Sequence, residues 1–362
     1  MMLPSISAIA VALPVVALGT VNGRRLCAPY LRHAFVYLCR LMPRKWLYAT
    51  LKLSSLISYT LFDLALELTN VPTPTESSWL RRVRSLPAKG TWIGPNVAET
   101  QNIKDWIMDS NTADIIIFWI HGGGFVFGSD TMYAPALIQL VKQLTNEHKK
   151  NVRLFSLEYG LAPKHKWPSA PTEVLECYRN LVQKLKIPAC KIIVAGDSAG
   201  GGMAVSLIHD IMKESLPLPR AALLVSPWVN LDLASPTYQT LAKDDYLTLA
   251  AAKQFRTLYL PTDMSPTDPR VSPIYLPSLQ LFPPMLVIYG ATEVFSHDIA
   301  AFVKKCQKDG VEVDSVAPPD SAHVWFMMEH LCANDGVWYN AVRDTANWCA
   351  QQFLSGTSSK SL

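Results

Sequence analysis

The chain has 362 residues, of which 49% are hydrophobic and 17% are charged. The length allows one large α/β domain with decorations or two small domains, and the composition excludes wholesale disorder. The net charge of +4 is only a mild excess of basic residues. The sequence shows no basic face with the aromatic or motif support that is expected of a nucleic-acid-binding protein. Seven cysteines without a C-x-x-C pair indicate neither a zinc site nor a disulfide framework.

The N-terminal region contains an uncharged, almost wholly apolar stretch, residues 3–21. A helix of that length would reach about 28 Å, close to the ~30 Å core of a bilayer. We therefore predict a single-pass anchor in residues 1–22, with the endoplasmic reticulum as the candidate membrane. A cleaved signal peptide and a soluble apolar arm are the alternatives. The basic residues that follow favour a cytosolic C-terminal side by the positive-inside rule.

Residues 23–72 form a second apolar region, in which leucines recur at approximately helical spacing from residue 47 to residue 68. This stripe predicts a helical segment that covers a substrate pocket, lies near a membrane, or simply packs on the domain. Pro72 and Pro74 end it. The catalytic domain is predicted for residues 73–354. Its first part, residues 73–110, is turn-rich and indicates short strands and loops at the edge of a sheet.

From residue 114 onwards, apolar strand-like runs alternate with helix-like segments. Strands are predicted at 115–120, 152–158, 191–195, 221–226, 285–289 and 312–316, and helices at 133–149, 172–186, 203–213, 296–308 and 337–353. This alternation predicts an α/β fold with a mostly parallel sheet covered by helices on both faces. The small, polar tail, residues 355–362, is predicted to be disordered.

A G-x-S-x-G pattern, residues 196–200, follows the predicted strand at 191–195 and precedes a helix-like run beginning at Met203. A sharp turn from strand to helix needs small flanking residues, and the glycines raise the Ser198 hydroxyl above the sheet. The helix directs its N-terminal N–H groups towards any charge that develops beside this serine. Ser198 is therefore a candidate nucleophile, although a glycine-rich turn that merely contains a serine would give the same pattern.

An H-G-G-G run, residues 121–124, follows the predicted strand at 115–120. Its glycines leave backbone N–H groups unobstructed, which is one way to build an oxyanion hole, with the N–H of Ala199 completing it. A flexible turn would account for one glycine but hardly for three in succession. His121 belongs to this loop, and we interpret it as structural.

A serine nucleophile needs a base and a carboxylate that orients the base. His323 follows the last predicted strand, where the chain order of α/β-hydrolases places the base, whereas His330 and His297 are less well placed. Glu293 follows the strand at 285–289, where the carboxylate is expected. Asp298, five residues later, is the alternative acid.

These motifs together resemble the hormone-sensitive-lipase-like branch of the α/β-hydrolases. The resemblance rests on HGGGF at 121–125, GDSAGGG at 196–202, EYGLAPKH at 158–165, SPWVNL at 226–231 and DPRVSP at 268–273. The third motif has Gly160 where this branch usually has arginine. The resemblance implies a triad of Ser198, Glu293 and His323, with Glu293 where aspartate is commoner. It also implies the oxyanion donors Gly123, Gly124 and Ala199, and an N-terminal helical cap.

A looser similarity, in layout and in the SPWVNL stretch, connects the chain to fungal steryl acetyl hydrolases, which are membrane-associated deacetylases. We predict a serine carboxylesterase that needs no metal and no organic cofactor. Its expected partner is a short acyl or acetyl ester of a lipophilic alcohol, such as a sterol or a terpenoid-like metabolite. Two alternatives stay open, an acyltransferase that uses the same acyl-enzyme and a non-catalytic small-molecule receptor. The oligomeric state is not indicated.

Overall fold

The computed structural model describes residues 37–38, 42–57, 72–85, 87–108, 113–332 and 335–354. The predicted anchor, residues 1–22, and the predicted disordered tail, residues 355–362, lie outside these ranges. Within the described ranges, no helix combines the length and the apolar character needed to cross a membrane.

One sheet of eight strands forms the centre of the described part of the chain, in the order β1-β2-β4-β3-β5-β6-β7-β8. Its strands are β1 (Leu80–Val83), β2 (Gly90–Ile93), β3 (Ile115–Ile120), β4 (Val152–Leu157), β5 (Ile192–Asp197), β6 (Ala221–Val225), β7 (Met285–Ile288) and β8 (Val313–Val316). The pairs β1–β2 and β2–β4 are antiparallel, and all others are parallel. The predicted α/β fold with a mostly parallel sheet is therefore confirmed.

The central strands are buried along their whole length, which explains their largely apolar sequences. Every residue of β3, β4, β5 and β6 is buried, because helices cover both faces of the sheet. The edge strand β8 is mostly exposed and more polar. The predicted turn-rich edge at 73–110 contains β1 and β2, which pair with each other before β2 joins β4.

The five helices predicted after residue 114 occur in their predicted order among the described helices, and two of them differ clearly in their bounds. They are α1 (Arg44–Ile57), α2 (Pro74–Ser77), α3 (Ile103–Met108), α4 (Ala134–Asn146), α5 (Ser169–Arg179), α6 (Ser198–Lys213), α7 (Thr237–Thr240), α8 (Leu249–Tyr259), α9 (Ser296–Lys308) and α10 (Asp335–Gln351). Helix α6 begins at Ser198 rather than at the predicted Met203, so the candidate nucleophile occupies its first turn. Helix α5 ends at Arg179, and one wide turn, Asn180–Lys184, continues it.

Helix α8 lies in the connection between β6 and β7, where the sequence prediction placed no helix. Thr248 caps its N-terminus by accepting a hydrogen bond from the Ala251 backbone N–H at 3.1 Å. Helix α1 packs against α8, and Lys52 of α1 donates a hydrogen bond to the Ala242 carbonyl. The described part of the predicted cap segment, residues 23–72, thus contacts the β6–β7 connection, while the proposed division into domains stays a prediction.

Candidate functional site

The candidate nucleophile lies on a strained turn between β5 and α6. Ser198 has a φ of 50°, in the left-handed region that residues with a side chain seldom adopt. A Cβ atom at Gly200 would collide with the Ile120 carbonyl oxygen, so the turn can pack against β3 only with glycine there. The Ser198 carbonyl accepts a hydrogen bond from the Trp228 N–H at 2.8 Å. The surroundings therefore fix the strained backbone that presents the hydroxyl.

His323 meets this hydroxyl from the loop that follows β8. Its Nε2 atom lies 2.9 Å from Ser198 Oγ, and both side chains are buried. A neutral imidazole that carries its proton on Nδ1 can accept the serine proton at Nε2. The structure thus brings together the two side chains that the sequence analysis proposed as base and nucleophile. The less favoured histidines lie elsewhere, His297 on α9 and His330 in the turn Glu329–Leu331.

Glu293 lies on the other side of the imidazole and is completely buried. Its Oε1 atom is 3.5 Å from His323 Nδ1, longer than the ~2.8 Å of a strong charge-assisted hydrogen bond. Such contacts in unliganded sites commonly tighten when charge develops. Its Oε2 atom accepts hydrogen bonds from the Ser226 hydroxyl at 2.6 Å and the Gly290 N–H at 2.8 Å. These two donors hold the carboxylate in place.

The alternative acid, Asp298, does not contact the imidazole of His323. It lies in the first turn of α9, where its carboxylate is 3.7 Å from His297 Nδ1. Burial raises the pKa of Asp298, and the Asn230 side chain and the charge of His297 partly oppose the rise. Of the two acids that the sequence left open, the structure therefore brings only Glu293 to the candidate base.

The electrostatic environment favours a protonated imidazole at His323. Burial lowers the pKa of this histidine, but the hydrogen bond and the charge of Glu293 raise it. The charges of Asp245 and Asp197 act in the same direction, and the net effect places the pKa above its ordinary value of 6.5. The site is thus suited to stabilise the imidazolium that forms when the serine loses its proton.

The glycine loop at 121–124 lies beside the serine. Gly123 and Gly124 line the same pocket as Ser198 and have φ values of 92° and 58°, both in the left-handed region. A Cβ atom at Gly124 would lie 2.6 Å from a ring carbon of Phe255, so this position also lacks space for a side chain. Ala199 is buried at the N-terminal end of α6. Two of the three predicted oxyanion donors, Gly123 and Gly124, therefore share a pocket with the candidate nucleophile, and the third, Ala199, directly follows it in the chain.

Two buried side chains hold the glycine loop. The Asp197 carboxylate accepts a hydrogen bond from the Gly122 N–H at 3.0 Å, and burial raises the pKa of Asp197 to about 7. The Tyr159 hydroxyl donates to the His121 carbonyl at 2.8 Å, and the Tyr159 ring stacks on the imidazole at 4.2 Å. Burial lowers the pKa of His121 to about 4, which keeps it neutral. This agrees with the interpretation of His121 as a structural residue.

An apolar pocket opens onto Ser198 and His323. Among the described residues that line it, His323 is the one side chain able to carry a positive charge, and none is acidic. Much of the wall is aromatic, from Phe127, Tyr133, Trp228, Tyr246, Phe255 and Phe295. The space that admits the centre of a water molecule is about 40 Å³. At 10–15 Å³ for each water, this is room for roughly three water molecules.

Comparison with known proteins shows which family the chain belongs to. The family model described as alpha/beta hydrolase fold matches residues 117–327, which include Ser198, Glu293 and His323. The chain belongs to the α/β-hydrolase fold family.

Two curated relatives are an esterase from Acinetobacter venetianus and an acetyl-hydrolase from Streptomyces hygroscopicus. The first is 31% identical over 204 residues, 56% of this chain and 64% of the relative, so the match spans less than two thirds of that protein. The second is 28% identical over 222 residues, 61% of this chain and 71% of the relative. The predicted enzyme class, a hydrolase of carboxylic esters, agrees with the names of these relatives.

A crystal structure of a hormone-sensitive-lipase homologue from a metagenome library has the same fold. It superimposes with a TM-score of 0.71 over 86% of this chain and 99% of that chain, at 23% identity. At this identity the likeness is one of fold. Together with the family match, it confirms the α/β-hydrolase fold that the sequence motifs indicated.

Two residues of this α/β-hydrolase lie next to the candidate triad, although no role was predicted for them from the sequence. Ser226 opens the SPWVNL motif, and its hydroxyl donates to Glu293. Asp245 lies in the β6–β7 connection, and its carboxylate accepts a hydrogen bond from the His323 backbone N–H at 3.1 Å. The motif marked Ser226 as notable, but no local pattern distinguishes Asp245 from a solvated acidic residue.

Proposed function

We propose that this chain is a serine carboxylesterase that hydrolyses its substrate through an acyl-enzyme on Ser198. The observation that carries the proposal is the 2.9 Å contact between His323 Nε2 and Ser198 Oγ in the wall of an apolar pocket. Glu293, buried behind the imidazole, supports it. A nucleophile, a base and an orienting carboxylate in this arrangement are the parts that acyl transfer needs.

In the acylation half-reaction, His323 Nε2 takes the proton from Ser198 Oγ as this oxygen bonds to the ester carbonyl carbon. The carbonyl oxygen becomes an oxyanion and accepts hydrogen bonds from the N–H groups of Gly123, Gly124 and Ala199. The imidazolium then donates its proton to the alkoxy oxygen, the carbon–oxygen bond to the alcohol breaks, and the alcohol leaves. The ionised carboxylate of Glu293 stabilises the imidazolium and keeps its charge throughout.

In the deacylation half-reaction, water takes the place of the alcohol. His323 accepts a proton from the water as its oxygen bonds to the acyl carbon, and the oxyanion forms again in the same place. The bond between the acyl carbon and Ser198 Oγ then breaks, and the imidazolium returns the proton to the serine. A carboxylic acid leaves, and the enzyme is restored.

For the substrate, we propose a neutral ester with a short acyl group, such as acetyl, and a lipophilic alcohol of sterol or terpenoid-like type. The apolar wall favours an uncharged substrate, because a charged group would lose its hydration without finding an ionic partner. The small free volume supports a short acyl group. Membrane association through residues 3–21 remains part of the proposal and is supported by the apolar sequence of that segment.

The chain-length preference is tested with p-nitrophenyl esters from acetate to decanoate and the full-length protein. We expect kcat/KM to fall by at least about 100-fold along the series, because each methylene forced into a filled pocket costs on the order of 1 kcal/mol or more. The buffer-catalysed rate of each ester is the control. A kcat/KM that is constant or rises towards decanoate would contradict the short acyl group.

A separate experiment distinguishes a hydrolase from a transferase by adding an alcohol to the reaction with p-nitrophenyl acetate. Acetate as the main acyl product supports a hydrolase, and an acetyl ester of the added alcohol supports a transferase.

The pH profile tests the base. Neutral His323 accepts the serine proton, so the active form lies above its pKa, which is raised above 6.5. We therefore expect kcat/KM for a neutral ester to increase with pH through a midpoint above 6.5. The measurement is kcat/KM between pH 5 and pH 9 at constant ionic strength. An acid limb centred below 6.5 would show that the carboxylates do not act on this imidazole as described.

A further inference from the structure

Asp245 joins the two loops that carry the candidate acid and the candidate base. Its Oδ1 atom accepts a hydrogen bond from the His323 backbone N–H at 3.1 Å, and its Oδ2 atom accepts one from the Val294 N–H at 2.9 Å. Val294 directly follows Glu293. The carboxylate is completely buried, where each unmade hydrogen bond would be costly. One side chain therefore fixes the loop after β7 against the loop after β8.

A second bridge lies beside the first. The Ser226 hydroxyl accepts a hydrogen bond from the Val324 N–H at 3.0 Å and donates to Glu293 at 2.6 Å. Val324 has a φ of 56°, a left-handed conformation that a β-branched residue adopts only under constraint. Two successive N–H groups of the histidine loop thus bind two different buried side chains. The position of His323 depends on both.

Asp245 also connects this histidine to the wall of the pocket. The next two residues, Tyr246 and Leu247, line the pocket, and α8 follows them. The Leu247 N–H lies 3.4 Å from Asp245 Oδ1, and the Tyr246 ring is centred 6.2 Å from the imidazole. The segment that lines the pocket is therefore also the segment that holds the candidate base.

We propose that Asp245 is a positioning residue for the ester hydrolysis described above. Its carboxylate holds the backbone of His323 in register with Glu293 and adds a second negative charge beside the imidazolium. This inference rests on the proposed function. If Asp245 has this role, the β6–β7 connection both lines the pocket and positions the base.

The charges around the two groups are consistent with this role. Burial raises the pKa of Asp245 to about 6, and the charge of Glu293 also raises it. The charge of His323 and the two backbone hydrogen bonds lower this pKa. Asp245 is therefore ionised over the pH range in which a neutral His323 acts as the base. The imidazole is faced by three carboxylates, Glu293, Asp245 and Asp197, and by the Tyr246 ring. Tyr238 is a further titratable group near Asp245.

Asp245→Asn tests the proposal in the full-length protein. The amide removes the charge and replaces one acceptor oxygen with a donor, so one of the two loops loses its hydrogen bond. We expect kcat for p-nitrophenyl acetate to fall about 10- to 100-fold with little change in KM, because a displacement of about 1 Å at the base can have this effect. The acid limb of kcat/KM should shift to lower pH.

The matched control is Asp298→Asn, which neutralises another buried aspartate whose carboxylate lies beside His297 and does not contact the imidazole of His323. We expect this variant to keep both the wild-type kcat and the wild-type acid limb. A direct readout that needs no turnover is the pKa of the His323 imidazole, followed by NMR in protein labelled at histidine Cε1. Asp245→Asn should lower this pKa, and Asp298→Asn should not.

The outcomes separate this inference from the proposed function. An Asp245→Asn protein with unchanged kcat and an unchanged His323 pKa would overturn the positioning role. Should the wild-type protein hydrolyse no ester, the proposed function fails, and the NMR comparison still decides whether Asp245 acts on His323. Should Asp245→Asn not fold, Asp245→Ser is measured in the same way, because serine is smaller, uncharged and still an acceptor.

Discussion

Ser198→Ala is expected to abolish ester hydrolysis, with kcat lowered by about 10⁴-fold or more and the fold retained. The substitution removes the oxygen that His323 Nε2 contacts at 2.9 Å, and alanine has no other atom that can form an acyl-enzyme. Any remaining rate would come from the oxyanion donors and substrate binding alone. The measurement is hydrolysis of p-nitrophenyl acetate, with the thermal midpoint Tm recorded on the same sample.

Ser206→Ala is the matched control for this variant. Ser206 is a second buried serine of α6 that does not line the pocket, so its substitution should leave kcat unchanged. A fluorophosphonate, which reacts covalently with activated serines, should label the wild-type protein and Ser206→Ala but not Ser198→Ala. Activity retained by a folded Ser198→Ala protein would reject the acyl-enzyme mechanism.

The parts of the site that lie in short contiguous stretches were predictable from the sequence. The strand, the glycines and the helix around Ser198 are adjacent in the chain, so the sharp turn is visible in the sequence pattern, although the helix begins at Ser198 and not at the predicted Met203. The same holds for the glycine loop that contains Gly123 and Gly124. The parallel sheet was predictable because strands buried on both faces give continuous apolar runs, as in β3.

Contacts between distant segments were not predictable in this way. Asp245 reaches His323 across 78 positions of the chain, and only the folded β6–β7 connection brings them together.

Helix α8, by contrast, has a local sequence pattern that could have predicted it. Ala251, Phe255 and Tyr259 recur every four residues after Thr248, a good N-cap. The prolines and charged residues around α8 concealed this short pattern.

The choice of acid shows where sequence order stops being informative. Glu293 and Asp298 both follow β7 within ten residues of its last residue, Ile288, so either satisfies the expected chain order. Helix α9 begins at Ser296 and places Asp298 in its first turn. There the carboxylate interacts with the side chains of Asn230 and His297. The loop before α9 turns Glu293 towards His323. This direction depends on the hydrogen bonds that Glu293 accepts from Ser226 and the Gly290 backbone N–H.

Glu293→Gln is therefore expected to lower kcat by about 10³- to 10⁴-fold, as the loss of the carboxylate does in related triads. The neutral amide no longer stabilises the imidazolium, so the pKa of His323 should fall and the acid limb of kcat/KM should move to lower pH. Asp298→Asn is the comparison, and its kcat should stay within about threefold of wild type, as expected for an acid without a charged role in the reaction. The measurement is kcat and kcat/KM for p-nitrophenyl acetate between pH 5 and pH 9.

The two variants together distinguish a catalytic acid from a buried acid that only stabilises the fold. Glu293 also accepts two hydrogen bonds that hold its loop, so a purely structural role would lower Tm and the fraction of active protein. That loss would leave the acid limb of the remaining activity where the wild type has it. Because the charge and the hydrogen bond of Glu293 raise the pKa of His323, their loss shifts the acid limb to lower pH, and this shift is the decisive observation. A large loss of kcat in Asp298→Asn with a nearly normal Glu293→Gln would assign the role of the acid to Asp298.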